Sequence, residues 1–414
     1  MIKKIFKWVG VTLLVVVLAG GAFIAHEWNA KPFYINNFFN RFALKIALES
    51  PEMLSSLHFL EPMGIDGHNA ELDDASPEST DEFFEYIAEE YEVLKSYSDQ
   101  DLTADERMSK RIAEYLFEFA REAEPFKLYN YPVNQLFGVQ NGFPSFMEAQ
   151  HQVHSLKDAD YYIQRLQKLP KKFSQTLQGL KLRTQNKILP PRFVIERVVE
   201  EMKNFSETEV EENILYLSLS EKLDKLEGVS DAEKSEVLLR AKSAIENDVY
   251  PAYVEMTRYF NGLSDKADDR DGFWKFPDGD KAYLLAVKLF TSTDYTPDYI
   301  HNVGIQEVAR IQQEILEILA GEGFDTVAGF TASIKIMADQ PRFYYEDSDA
   351  GREQILKDYQ TILDEIDKGL ETAFNIRPKA SIEVKRIPEF KEKTSPGAYY
   401  NGPAIDGSRP GIFY

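Results

Sequence analysis

The stretch Asp271–Gly321 constrains the fold more than any other part of the chain. It reads DGFWKFPDGDKAYLLAVKLFTSTDYTPDYIHNVGIQEVARIQQEILEILAG. At its corner, Thr296 offers a hydroxyl to a free N–H of a first helical turn. Pro297 follows where its missing N–H costs nothing, and Asp298 favours the positive helix end. Ile300, Gly304, Val308, Ile311, Ile315 and Ile318 then recur at helical spacing. That spacing predicts a long helix with one apolar stripe, packed in a large helical core. Gly321 reads as its C-cap. Glu307, Arg310 and Glu314 stand at ion-pair spacing on the polar face. His301 and Glu307 are separated by ~600° of helix rotation, so they face apart and do not share a metal.

The same texture runs along most of the chain. A first aromatic-rich helix is expected over Phe33–Leu48, followed by a loop from Pro62 to Pro77. Capping boxes pair Ser79 with Glu82, Thr103 with Glu106, and Ser230 with Glu233, each opening a helix. Tyr129–Met147, with two prolines and two glycines and no regular period, reads as an ordered, packed loop. Lys157–Asn186 reads as two helices broken at Pro170, and Pro190-Pro191 starts another. The helix opened by Ser230 is interrupted at Pro251. The polar tract Ser264–Gly272 is within the reach of an ordinary loop. Pro341 separates two further helices. Only Ser381–Ile387, SIEVKRI, alternates like a strand. It is followed by a Gly/Pro-rich loop and by Gly411–Tyr414, which reads as the start of an apolar strand. The fold class expected is mainly α, a large multi-helix scaffold with a small β element near residues 381–414.

Lys3, Lys4 and Lys7 precede an apolar run from Trp8 to Ala25. At ~27 Å of helix the run suits a hydrocarbon core of ~30 Å. The lysines keep to the cytoplasmic side and place the remainder outside. The rival is a cleaved signal peptide, but Ala22 and Ala25 stand one residue too far apart for A-x-A. No cysteine is available for a lipid anchor. The expected organisation is a membrane anchor over 1–29, single-pass in the inner or cytoplasmic membrane. A helical extracytoplasmic domain follows over 30–414, truncated at its C-terminus because domains seldom end inside an apolar strand.

A formal charge of −22 argues against nucleic acid, whose binders cluster Lys and Arg to displace counterions. With no Cys in the sequence, thiolate zinc sites, iron–sulfur clusters and cysteine nucleophiles are excluded. His26-Glu27 lacks the second histidine of H-E-x-x-H, and His68 sits in a loop among carboxylates. His151 and His154 form H-x-x-H, whose members share a helix face, but a third ligand is missing. No metal site is assigned to this chain.

Five blocks carry a resemblance. They are YPVNQLFGVQNGFPSFMEAQH, DADYYIQRLQKLP, LPPRFVIERV, FPDGDKAYLLAVKLFTSTDYTPDYIHNVGIQEVARI and AYYNGPAIDGSRPGIFY. In this order, over roughly residues 80–414, they resemble a bacterial family filed as domain of unknown function 885, which is similar to zinc metallopeptidases. The resemblance implies a peptidase-like helical scaffold. It also implies a His-Glu-Gly-x-Pro-Gly-His helix downstream of RPGIFY, which this chain does not contain, so zinc is expected only for a full-length family member. What carries over is the approach to a site. An edge strand there can take up a substrate backbone. Tyr399, Tyr400, Ser408, Arg409 and Tyr414 lie near the place for substrate contact. Arg409 suits a peptide carboxylate, and Tyr400 or Tyr414 suits an oxyanion. Two functions follow as expectations. One is a membrane-anchored, extracytoplasmic member of a zinc-dependent peptidase family, inactive as this chain. The other is a non-catalytic helical ectodomain that binds a peptide or protein partner.

Overall fold

The computed structural model describes residues 2–387, 392 and 397–414, with side chains described at Trp8 and from Leu13 onward. It divides into two compact units, Met1–Asp269 and Arg270–Tyr414. The division falls inside the polar tract Ser264–Gly272.

The first unit is helical. It opens with α1 (Ile2–Asn29), α2 (Ile35–Leu48) and α3 (Pro51–Leu57). Among the described residues no helix is long and apolar enough to cross a membrane, so the expected crossing over residues 8–25 is not met there. Residues 9–12 of that run lie outside the described side chains.

Next come α4 (Pro77–Lys95) and α5 (Ala104–Ala123). Ser76, not Ser79, caps α4, because Pro77 already suits the first helical position. The box of Thr103 and Glu106 forms as expected. Helices α2, α4 and α5 bury Ile35, Phe38, Ile87, Leu94 and Phe117 together. The buried Arg41–Glu90 ion pair ties α2 to α4.

The second layer holds α6 (Val139–Ala149), α7 (Leu156–Gln185), α8 (Arg192–Ser206), α9 (Ile214–Asp224), α10 (Asp231–Ala244) and α11 (Tyr250–Asn261). Two expectations fail here, both over proline. The packed loop over Tyr129–Met147 is helical from Val139, with Pro144 inside the helix. Pro144 cannot donate to the carbonyl of Gln140, and the Tyr253 hydroxyl donates to that carbonyl at 2.5 Å. Helix α7 likewise runs unbroken through Pro170. An internal proline costs about 3 kcal/mol. Burying Leu166, Leu169 and Phe173 on the same helix returns about 1.5–3 kcal/mol each. Ahead of Pro251 the helix relaxes into a π turn over Ile245–Val249, because Pro251 cannot bond back to Asn247. Tyr253 stacks on Phe205 with centroids 4.3 Å apart and lies 4.9 Å from the Phe173 ring.

The second unit carries α12 (Gly279–Thr291), α13 (Pro297–Gly321), α14 (Phe330–Ala338) and α15 (Asp349–Gly369). Its strands are β1 (Ile382–Val384), β2 (Tyr400–Asn401) and β3 (Gly411–Phe413). Thr296 caps α13 as the sequence predicts. Gly321 stays inside the helix, and the left-handed position falls to Gly323, at φ 85°. The apolar stripe of α13 is not buried: Val308, Ile311 and Ile318 are exposed, and of the whole helix only Leu319 is buried. Periodicity identifies a face; it does not supply the element that covers it. The sheet order is β1-β3-β2, with β1 parallel and β2 antiparallel to β3. Strand β2 lies within the segment expected to be a Gly/Pro-rich loop. The fold is mainly α with a small three-stranded sheet.

Candidate functional site

The sheet of the second unit collects most of the residues singled out for substrate contact. Tyr399 and Tyr414 form a hydrogen-bonded pair across β2 and β3. The Tyr414 N–H donates to the Tyr399 carbonyl at 2.8 Å, and the Tyr399 N–H donates back at 3.2 Å. Their rings stack with centroids 4.9 Å apart. Tyr400 pairs with Phe413 in the next register position. Hydrogen-bonded and non-bonded pairs alternate along an antiparallel ladder. The N–H and C=O of Tyr400 therefore point away from β3, to the outer edge of β2. Its ring lies over Gly411, where a Cβ would come within 2.4 Å of the phenol oxygen. Glycine is required there for the ring to sit flat on the strand.

Arg409 is buried, and its Nη1 donates to the Gly402 carbonyl at 2.7 Å. Burial pulls its guanidinium below the ordinary range, while the phenols of Tyr414 and Tyr400 and the Asp406 carboxylate act in the opposite direction. The structure thus brings Arg409, Tyr400 and Tyr414 together. Ser408 closes a turn: its N–H and its hydroxyl both donate to Asp406 Oδ1, at 3.0 and 2.7 Å.

The opposite edge of the sheet is different. In the parallel ladder Lys385 N–H donates to Phe413, and Gly411 N–H donates to Ser381, so the polar groups of Ile382 and Val384 face outward. Gln360 of α15 meets both. Its Oε1 accepts from Val384 N–H at 3.2 Å, and its Nε2 donates to the Ile382 carbonyl at 3.3 Å. A side-chain amide here makes the two bonds that an added strand would make. No sequence signal marks Gln360, which is one polar residue among many on α15.

The rings of His58 and His154 stand edge to face with centroids 6.3 Å apart, and His26, His68 and His151 have separate partners. His151 is buried, its Nδ1 accepting from Arg165 and its Nε2 facing the Asp158 carbonyl. His154 turns to Gln152 at 2.7 Å. His68 bonds to Glu61 at 2.9 Å. Burial would raise the Glu61 carboxyl, but that bond and the nearby histidines outweigh it and hold it below its usual value. His26 stacks on Phe33, and His301 is exposed on α13. Among the described residues no group of three or more His, Asp or Glu could hold a metal ion.

Two solved structures share the fold, each a "putative lipoprotein". The one from Colwellia psychrerythraea is 24% identical, with a TM-score of 0.81 over 89% of this chain and 64% of its own. The one from Shewanella oneidensis is 16% identical, with a TM-score of 0.52 over 86% of this chain and 61% of its own. This chain therefore spans less than two thirds of the length of either. No curated protein matches it. Residues 60–414 match the model of a family described as "Bacterial protein of unknown function (DUF885)", and the chain belongs to that family.

Proposed function

We propose that this chain is a membrane-tethered, extracytoplasmic protein on a peptidase-like scaffold. Its own residues hold an extended peptide at the outer edge of β2 and do not cut it. One observation carries this reading, the asymmetry of the sheet edges. Gln360 occupies the edge of β1. Among the described residues no strand pairs with the outer edge of β2, where Tyr400 directs its N–H and C=O. Strand addition needs such an edge together with side chains that grip the incoming chain. The exposed Tyr400 ring lies on that strand, and Arg409, buried, braces its end through the Gly402 carbonyl at 2.7 Å.

The tether is the run Trp8–Ala25. Leu13 to Leu18, Phe23 and Ile24 are exposed on α1, and three lysines precede them. Each of the two solved structures carries the description "putative lipoprotein". This chain has no cysteine to carry a lipid, so here the apolar helix takes that role. Because zinc finds no ligand set among the described residues, no step is assigned to it.

The test is a fluorescence titration of the full chain in detergent with a pool of labelled hexapeptides, native and backbone N-methylated. Saturable binding of native peptides, weakened about tenfold or more by N-methylation, is the result expected. Two outcomes contradict the reading: no peptide of the pool binds, or this polypeptide cleaves peptides after addition of equimolar zinc.

A further inference from the structure

A cavity of about 460 Å³ lies in the first unit. Its size is in the range of small-molecule sites. Three cationic side chains line it, Lys127, Lys172 and Arg183, with one carboxylate, Glu52. With Glu52 and the adjoining Asp81 set against the three cations, one positive charge is left over, in a chain whose formal charge is −22. Charge of the minority sign collected in a concave site is unlike a solvated surface, where signs mix.

The cations are not equally satisfied. Lys172 is paired with Glu52, and Lys127 reaches Asp81 at 2.7 Å. Arg183 has only neutral oxygens. Its Nε and Nη2 donate to Asn130 Oδ1 at 3.1 and 2.6 Å, and its Nη1 donates to the Gly179 carbonyl at 3.1 Å. Burial alone acts on its guanidinium, pulling it below the ordinary range, and no carboxylate offsets that effect. A half-buried cation without a counter-charge is costly to keep unless an anion joins it.

The floor leaves room for one. Gly142 lines the cavity, and a Cβ there would meet nothing within 4 Å. Ser76, Thr80 and Thr176 supply hydroxyls to the lining, and Pro132, Val139 and Phe143 supply apolar surface. We infer that this cavity is a binding site for a small organic oxyanion, a carboxylate or a phosphate, held by Arg183 with Lys127 and Lys172. Beyond its bonds to Asn130 and Gly179, the guanidinium keeps a second N–H on each of Nη1 and Nη2, a pair that matches two oxygens of either group. The rest of the acidic surface does not prevent this, because at physiological salt charges beyond ~8 Å are largely screened. The site lies within the first unit and stands independently of the peptide edge of the second.

The experiment is isothermal titration of the full chain in detergent with succinate, with inorganic phosphate and, as a neutral control, with glycerol. Two variants accompany it. Arg183→Gln removes the fork, and Gly142→Glu places a carboxylate in the open space while leaving Arg183 intact. Gly142→Ala serves as the control for the backbone. One-to-one binding of succinate or phosphate is the result expected, weakened about tenfold or more in both charge variants and unchanged in Gly142→Ala. Binding of only one anion names the group that the site takes. Glycerol binding as well as either anion, anion binding that both charge variants leave intact, or no binding of either anion by the unmodified chain would overturn the assignment. Should Arg183→Gln fail to fold, Gly142→Glu and the unmodified chain decide it.

Discussion

Arg165 Nη1 donates to His151 Nδ1 at 2.7 Å, and both side chains are buried. That bond fixes the tautomer. Nδ1 must present its lone pair, so the proton sits on Nε2 and points at the Asp158 carbonyl, 3.2 Å away. Arg165 also donates to Ser55 Oγ at 2.7 Å and to the Glu71 carbonyl at 2.8 Å, tying the segment around α3 to α7. His151 is therefore a structural acceptor, with both ring nitrogens engaged.

A pH dependence follows with a definite sign. Burial, then the charges of Arg165 and Lys222, hold the His151 imidazole well below its ordinary value. The unfolded chain takes up a proton below about pH 6.5, where the folded chain does not. Above that value both states are neutral at this residue, and pH has no effect through it. Below it the unfolded state binds more protons, so stability falls as pH falls. Urea unfolding at pH 7.5 and 5.5 should show lower stability at pH 5.5. His151→Leu should cost about 2–3 kcal/mol at pH 7.5 by leaving Arg165 Nη1 without its acceptor, and should flatten this pH slope.

The Tyr253 hydroxyl and Pro144 form a second testable pair, because Tyr253 supplies the bond to Gln140 that Pro144 cannot. Tyr253→Phe should cost about 1–3 kcal/mol, the price of a buried carbonyl left unsatisfied. Pro144→Ala supplies an N–H to that carbonyl and should recover part of the loss. A double-mutant cycle by thermal or urea unfolding measures the coupling. Additive effects would show that the two residues act separately.

The open stripe of α13 makes a third prediction. Val308, Ile311 and Ile318 expose contiguous apolar surface, which suits an environment-sensitive dye. The chain should enhance the fluorescence of such a dye, and Val308→Glu with Ile311→Glu should reduce it. Stability should change by no more than about 0.5 kcal/mol per site, as for other exposed positions.

These cases mark what the sequence makes legible. The caps at Thr103, Ser230 and Thr296 depend on residues three apart, and each forms as read. The ion pairs of Arg310 with Glu307 and Glu314 form for the same reason. Helix α6 hides behind Pro144 because its compensating partner, Tyr253, is remote in the chain. Helix α7 hides behind Pro170 because packing outweighs a local penalty. Strand β2 has no strand composition of its own, and its pairing with β3 defines it. At the candidate site the family resemblance, not composition, points to Tyr399, Tyr400, Ser408, Arg409 and Tyr414, and the strand pairing of Tyr400 with Phe413 is visible only in the structure. The sequence does not point to Gln360, whose role exists only once α15 lies against β1.

The most direct test of the peptide-edge reading is residue-resolved amide hydrogen exchange on the full chain in detergent, with and without a hexapeptide that binds. The Tyr400 N–H should exchange at least about tenfold more slowly with peptide present, as expected when an exposed amide joins a ladder. Val384 N–H, already held by Gln360 Oε1, should not change. Protection of Val384 with Tyr400 unaffected would put the peptide on the wrong edge and contradict the account.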